Sequence, residues 1–363
     1  MDFKVSHLDP CIFICHKNSN TTFISSHVND LGLFCNSKKE IATVQSKFLQ
    51  HIKIKDSGEI KTILWIEVTH DCEKCTISLS HQQYIINMVT EYNQTNSKPV
   101  YMPMEEGTYL SQVEFCLKNL KRSVLCAPFP TRTSLATLNH TAVMTWPDIS
   151  KVVQPVAQFS SNPGMRHWNT ALCIVKYLNT MKDWVLNLGS KLESKIPTFI
   201  AYSDVNHANH PDHGWSISGY GILNVTCNGI GGVHAWCSRK QTSTALSTHE
   251  AEYISSVNTS HKVVWQHKLY SELGFVQRAW IHFFTNNNSA LKTINSPDQV
   301  TNCTKHIHYN YHWIKEVACK HVILLEHVPS ELSAADIFTK AFHAPWHKEF
   351  CRMLGMRPWN NAC

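Results

Sequence analysis

After Lys195 the chain changes character, and the order of elements that follows leaves few folds open. Apolar patterning over residues 198–203, 218–225 and 232–239 predicts three successive strands. Residues 247–273 read as one long helix, and a strand is expected at 280–284. Two helical stretches and a last strand at 322–327 complete the set. Three strands, a helix, a strand, helical connections and a strand make an α/β (α+β) domain with a mixed five-stranded sheet and flanking helices.

The first half is built differently. Cys11 to Cys15 and Thr22 to Ser26 alternate around turn-forming residues at 18–21, which predicts a β-hairpin. Leu31 to Phe34 suits a further strand. Apolar residues at Ile41, Val44, Phe48 and Ile52 recur every three or four positions, so 38–52 is a helix. Strands are expected at 63–68 and 75–79, then a helix at 81–92. Pro99, Pro103, Pro128 and Pro130 mark a stretch with little periodicity, within which a linker at 111–132 is placed. Residues 133–192 read as mainly helical, with helices at 146–159 and 165–178. The expected units are 1–110, 133–192, 195–345 and a C-terminal tail at 346–363.

Composition adds bounds. A chain of 363 residues is long enough for two or three cores. The net charge of +6 permits nucleic-acid contact without demanding it. No apolar run reaches the ~20 residues that span a bilayer, and the first ten residues lack the apolar core of a secretory signal. The 14 cysteines are irregularly spaced. An intracellular protein of the cytoplasm or nucleus, with reduced thiols and no membrane association, is expected.

Particular motifs carry more. In order they are Ala-Tyr-Ser-Asp204, Ser247-Thr-His-Glu-Ala-Glu252-Tyr, Phe283-Phe-Thr-Asn-Asn-Asn-Ser-Ala290, Thr304-Lys-His-Ile-His308 and Ala335-Asp-Ile-Phe-Thr-Lys340. This order resembles the ribonuclease H domain of copia-type retrotransposon Pol polyproteins. Upstream, Phe3-Lys-Val-Ser-His-Leu-Asp-Pro-Cys-Ile-Phe13, His27-Val-Asn-Asp30, Ile54-Lys-Asp-Ser-Gly-Glu59, Leu64-Trp-Ile-Glu67, Lys98-Pro-Val and Trp146-Pro-Asp-Ile149 resemble the same family's reverse transcriptase. The resemblance runs from Phe3 to about Met353. It implies a partial palm at 1–110, a helical thumb or connection at 133–192 and a ribonuclease H-like domain at 195–345.

For the first unit, the resemblance implies a polymerase remnant. Two-metal nucleotide addition needs several carboxylates. At the turn that should carry an Asp pair, Asn29 replaces the first and only Asp30 matches. An amide lacks the charge that a hard cation requires. The chain is also expected to begin after the strand that carries the family's other Asp. Polymerase activity is therefore expected to be lost, with Asn29 and Asp30 forming a hairpin turn.

For the second unit, the resemblance implies four acids holding two magnesium or manganese ions around an RNA–DNA hybrid. One ion would activate water and the other would stabilise the leaving oxygen. Asp204 matches the first acid. Ser247 and Glu250 fit a capping box, which leaves Glu252 as the second. Asn286 and His308 fall at the third and fourth positions. The expected catalytic set is Asp204, Glu252, Asn286 and His308, with Asp204, Glu252 and His308 as metal ligands. The site charge falls from about −4 to about −2, which weakens magnesium binding, and a histidine favours manganese or zinc. Ribonuclease activity is expected to be impaired or lost. The competing expectations are a non-catalytic nucleic-acid-binding module, held through phosphate contacts, and a decayed product without function.

Two other groupings carry less. Cys72-Glu-Lys-Cys75, with His70 and His81 nearby, has zinc-ligand spacing but no second cysteine pair, and reads as a β-turn. Trp215, Trp236, Trp265 and Trp280 read as packing residues.

Overall fold

The computed structural model describes residues 2–17, 20–111, 132–160, 163–189, 198–209, 212–226, 229–275, 280–295 and 308–359. The expected linker at 111–132 and the motif at 304–307 lie almost wholly outside these residues.

Strands β1 (Lys4–Val5), β2 (Ile12–Lys17), β3 (Asn20–His27) and β4 (Asp30–Cys35) form an antiparallel four-stranded sheet in that order. The expected hairpin and the strand after it are both present. Helix α1 (Lys38–His51) follows, and its Ser37 cap accepts from the Glu40 backbone amide. Strands β5 (Thr62–Ile63), β6 (Ile66–Asp71) and β7 (Thr76–Ser80) lead into α2 (Gln82–Glu91).

The segment 133–192 is not wholly helical. It contains α3 (Arg132–Met144), a short 3-10 turn at Pro147–Ile149, α4 (Ser150–Gln158) and α5 (Met165–Met181). It then contributes β8 (Trp184–Asn187), which pairs with β7. Two β-branched or apolar residues at Val185 and Leu186 suit that strand, and their burial at a sheet overrides helical patterning.

The second half follows the expected order closely. Its strands are β9 (Thr198–Asn206), β10 (Ile217–Thr226) and β11 (Gly229–Lys240). Helix α6 (Thr248–Glu272), β12 (Ile281–Thr285), α7 (Asn288–Asn295), α8 (His308–Cys319) and β13 (Ile323–His327) come next. The five-stranded sheet has the order β11-β10-β9-β12-β13. β9, β10 and β11 are antiparallel neighbours, whereas β12 runs parallel to both β9 and β13. This is a ribonuclease H-like mixed sheet.

Up to Trp359 the expected tail carries regular structure. Helix α9 (Ala344–Met353) is followed by β14 (Met356–Pro358), which pairs antiparallel with β8. A third sheet therefore runs β14-β8-β7-β6-β5 and draws strands from three distant parts of the chain.

Strand β9 lies at the centre of its sheet and is buried from Phe199 to Val205. Its alternate residues face two cores. Phe199 and Ala201 pack with Phe283 and Tyr253 of α6. Ile200 and Tyr202 join a larger core with Leu178 of α5, Phe338 and Phe350. Each fully buried side chain of this size contributes about 1.5–3 kcal/mol. Among the described residues, no helix is long and apolar enough to cross a membrane.

Candidate nuclease site

Asp204 lies near the C-terminal end of β9 and is 1% exposed. Strand β12 runs parallel to β9 with Thr285 opposite Ser203, so Asn286 emerges beside Asp204. Its side-chain amide donates to Asp204 Oδ1 at 2.9 Å. Parallel pairing thus brings together two residues that are 82 positions apart.

Glu252 enters from α6. Ser247 caps this helix by accepting from the Glu250 amide at 3.2 Å. The reciprocal arm differs from a simple capping box, because Glu250 Oε2 accepts from the Leu246 amide at 2.8 Å. Glu250 is thereby occupied at the helix entry, and Glu252 is the acid left for the site. One turn later, Ser255 donates to the Asp204 carbonyl at 3.0 Å and accepts from Ser203 at the same distance. Those bonds fix the helix against the strand that carries Asp204.

The fourth element is the segment after β13. Asp336 opens a 3-10 turn, Asp336–Phe338, that lies over β9 and β10. Gly219 of β10, paired with Asp204, makes this approach possible. A Cβ there would stand 2.6 Å from Phe338 Cβ and 2.7 Å from Thr339 Cγ2. Thr339 Oγ1 then donates to Asp204 Oδ2. Lys340 Nζ lies 2.6 Å from Asp336 Oδ2 and 3.3 Å from Asp204 Oδ2.

Three carboxylates, Asp204, Glu252 and Asp336, therefore share one buried place with one ammonium. Their electrostatics follow from that crowding. Burial, then the charges of Asp204 and Asp336, push the Glu252 carboxyl up to about 8, while Lys340 and a hydrogen bond from Asn287 oppose the rise. Burial and Asp204 push Asp336 up to about 6 against the pull of Lys340. Burial works against the Lys340 charge, yet Asp204 and Asp336 hold its pKa above the ordinary lysine value.

Asp204, Glu252 and Asn286 meet in space. The side chain of His308 lies outside the described residues, although the backbone places it at the first position of α8. Asp336 is the carboxylate of this cluster that the sequence reading leaves out of the site, although its Ala-Asp-Ile-Phe-Thr-Lys motif stands in the ordered set. A carboxylate followed four positions later by a lysine, in a segment otherwise made of Ile, Phe and Thr, is the available signal. At the first sheet, Asn29 and Val28 form the turn between β3 and β4, with His27 opposite Asp30. Asp30 is exposed. The cleft beside it, formed by residues such as Trp65, Tyr84 and His140, carries no second carboxylate among its described residues. Cys72 and Cys75 are exposed at the β6–β7 turn.

Whether the acidic cluster suits a divalent cation can be judged from its donors. Glu252 Oε2 and Asp336 Oδ1 are buried without a hydrogen-bond partner among the described residues. Unpaired, buried carboxylate oxygens in an all-oxygen set fit a hard cation such as magnesium or manganese.

The sheet order and this cluster of acids at the end of its central strand define a ribonuclease H-like domain. Residues 1–106 match a family model described as reverse transcriptase (RNA-dependent DNA polymerase). The chain is 28% identical over 96% of its length to a retrovirus-related Pol polyprotein from transposon TNT 1-94 of Nicotiana tabacum, covering 25% of that protein. It is 26% identical over 98% of its length to a retrovirus-related Pol polyprotein from transposon RE1 of Arabidopsis thaliana, covering 23% of it. A foamy viral protease-reverse transcriptase solved with dsDNA aligns with 85% of the chain and 55% of its own, at 15% identity and a TM-score of 0.44. The chain is similar over nearly its whole length to these transposon Pol polyproteins. It spans about a quarter of the length of those relatives.

Proposed function

We propose that the domain carrying Asp204 hydrolyses the RNA strand of an RNA–DNA hybrid with divalent metal, more weakly than its Asn286→Asp variant would. The observation that carries this reading is the meeting of Asp204, Glu252 and Asp336 with two unpartnered carboxylate oxygens. These three residues would hold the ions. Asp336 takes the role that the sequence had assigned to His308. Bound magnesium or manganese would supply activated water and charge stabilisation at the leaving oxygen.

The chain's own residues set the strength of the site. Asp204 is held by Asn286 and Thr339, so its oxygens are oriented before any ligand arrives. Asn286 contributes a neutral oxygen where a fourth charge would draw a cation more strongly. Lys340 compensates Asp204 and Asp336 in the metal-free protein, and a cation must compete with it. We assign no polymerase role to Asn29 and Asp30, since an exposed turn with one carboxylate lacks the charge for two ions.

The test is cleavage of a labelled hybrid by the full chain with magnesium and then manganese. Cleavage that Asp204→Asn abolishes supports the reading. Salt-dependent hybrid binding with no turnover, in both the native chain and Asn286→Asp, would replace it with a non-catalytic binding module.

A further inference from the structure

A second group of metal-ligating side chains lies in the larger core, between the connection helices and the C-terminal helix. Asp148 sits in the 3-10 turn at Pro147–Ile149 and is 2% exposed. His347 and Cys351 are four residues apart on α9, so they share one face of that helix. Both are buried. Asp148 Oδ2 lies 3.3 Å from His347 Nε2 and 3.7 Å from Cys351 Sγ. The three donor atoms all fall within 4.8 Å of one another. Tyr177 of α5 donates its phenol proton to Asp148 Oδ2 at 2.5 Å.

The two separations from Asp148 suit a shared ion. With metal–ligand lengths of about 2.0 Å for nitrogen and oxygen and about 2.3 Å for sulfur, tetrahedral edges are roughly 3.3 Å for O···N and roughly 3.5 Å for O···S. Tyr177, His347 and Cys351 all approach Asp148 Oδ2, and Tyr177 also contacts His347 at 3.2 Å, so hydrogen bonding leaves only the second carboxylate oxygen without a partner. Asp148 Oδ1 is buried with no hydrogen-bond partner among the described residues. The described ion pairs give the buried carboxylate one partner, His347, whose charge depends on protonation. Desolvating a carboxylate to this degree is costly without a full countercharge.

We propose that Asp148, His347 and Cys351 form a zinc site of three protein ligands, with the fourth position left to a solvent molecule and the Tyr177 hydroxyl orienting the Asp148 carboxylate. Zinc is the ion that suits a thiolate, an imidazole and a carboxylate together. On binding, Cys351 releases its thiol proton to solvent, and the sulfur electron pair forms the Zn–S bond. A carboxylate, a thiolate and a neutral imidazole then balance the two charges of the ion. The site would fasten α9 to the turn that carries Asp148, two segments 199 residues apart in sequence. It is separate from the cluster at Asp204 and does not depend on nuclease activity.

The experiment uses the full chain, freed of metal and then titrated with cobalt(II) and zinc. Cobalt should produce a near-ultraviolet thiolate-to-metal absorption band, and one equivalent of zinc should remove it. The band and the zinc should persist in the triple variant Asp204→Asn, Glu252→Gln, Asp336→Asn, and in the pair Cys72→Ser, Cys75→Ser. Cys351→Ser should abolish the band. Tyr177→Phe should weaken zinc binding by about tenfold, the usual scale for a residue that orients a ligand. The native chain taking up cobalt with no thiolate band, or taking up no metal, overturns the proposal without reliance on a variant's folding. A band that survives Cys351→Ser in a folded chain overturns it as well.

Discussion

The side-chain amide of Asn286 donates to Asp204 Oδ1 at 2.9 Å, so the residue that replaces an expected acid stabilises the acid that remains. An aspartate at 286 would place a second negative charge against the same oxygen. The amide therefore favours the metal-free fold at the expense of cation affinity.

Replacing Asn286 with Asp should reverse that balance. The metal-free variant should lose about 1–3 kcal/mol, because a buried acceptor loses its donor. Magnesium should restore that stability, and hybrid cleavage should rise by about tenfold, equivalent to about 1.4 kcal/mol. Thermal melts with chelator or magnesium, run beside the cleavage assay, check both parts. A variant as stable as the parent in chelator would show that the Asn286 bond contributes nothing.

The Glu252 carboxyl links stability to pH. Its folded pKa of about 8 exceeds the ordinary value of 4.5. Between those values the folded state holds a proton that the unfolded chain has released. Stability present below pH 4.5 from this group is therefore lost as pH rises through about 8. Asp336 acts in the same direction up to about 6. In chelator, melting temperature should fall from pH 5 to pH 8.5, and Glu252→Gln should flatten the upper part of the slope. The gain of the variant over the parent at high pH is at most about 5 kcal/mol, since the rise from 4.5 to about 8 carries about 1.4 kcal/mol for each pH unit. Parallel pH profiles for parent and variant would refute the buried-acid account.

Lys340 bridges Asp336 and Asp204, with its side chain about one-third exposed. Lys340→Met should destabilise the metal-free chain by about 1–2 kcal/mol, less than a fully buried pair because solvent screens the ammonium. Magnesium should then stabilise the variant more than it stabilises the parent, since no ammonium competes. Calorimetric titration of magnesium into both proteins measures the difference. Equal affinities would show that Lys340 leaves the cation position free.

Gly219 tests the path by which Asp336 reaches the site. The glycine lacks the Cβ that would strike Phe338 and Thr339. Gly219→Ala should cost about 1–3 kcal/mol by overpacking and should lower cleavage through displacement of Asp336. A variant with parental stability and activity would show that the 336–340 segment shifts without consequence.

Much of the architecture was legible in local patterning. The strand at 198–203, the helix at 247–273 and the strand at 322–327 stand close to their observed bounds, because period and burial agree there. The strand at 184–187 is not foreseen in a segment that reads as mainly helical. Its fate depends on pairing with β7 and β14, and neither partner is visible in a local window. The cap at Ser247 was readable from spacing, whereas the turn of Glu250 toward Leu246 required coordinates.

The sequence by itself determined the order of elements, the family resemblance and the identities of Asp204, Glu252 and Asn286 as neighbours in a site. Those features rest on side-chain period and on motif order, which are properties of the linear chain. Only the tertiary structure decided that Asp336 completes the carboxylate cluster, with Lys340 between it and Asp204. It alone joined Asp148 to His347 and Cys351 across 199 residues. Both groupings arise because sheet pairing and core packing bring together residues whose separation along the chain carries no local signal.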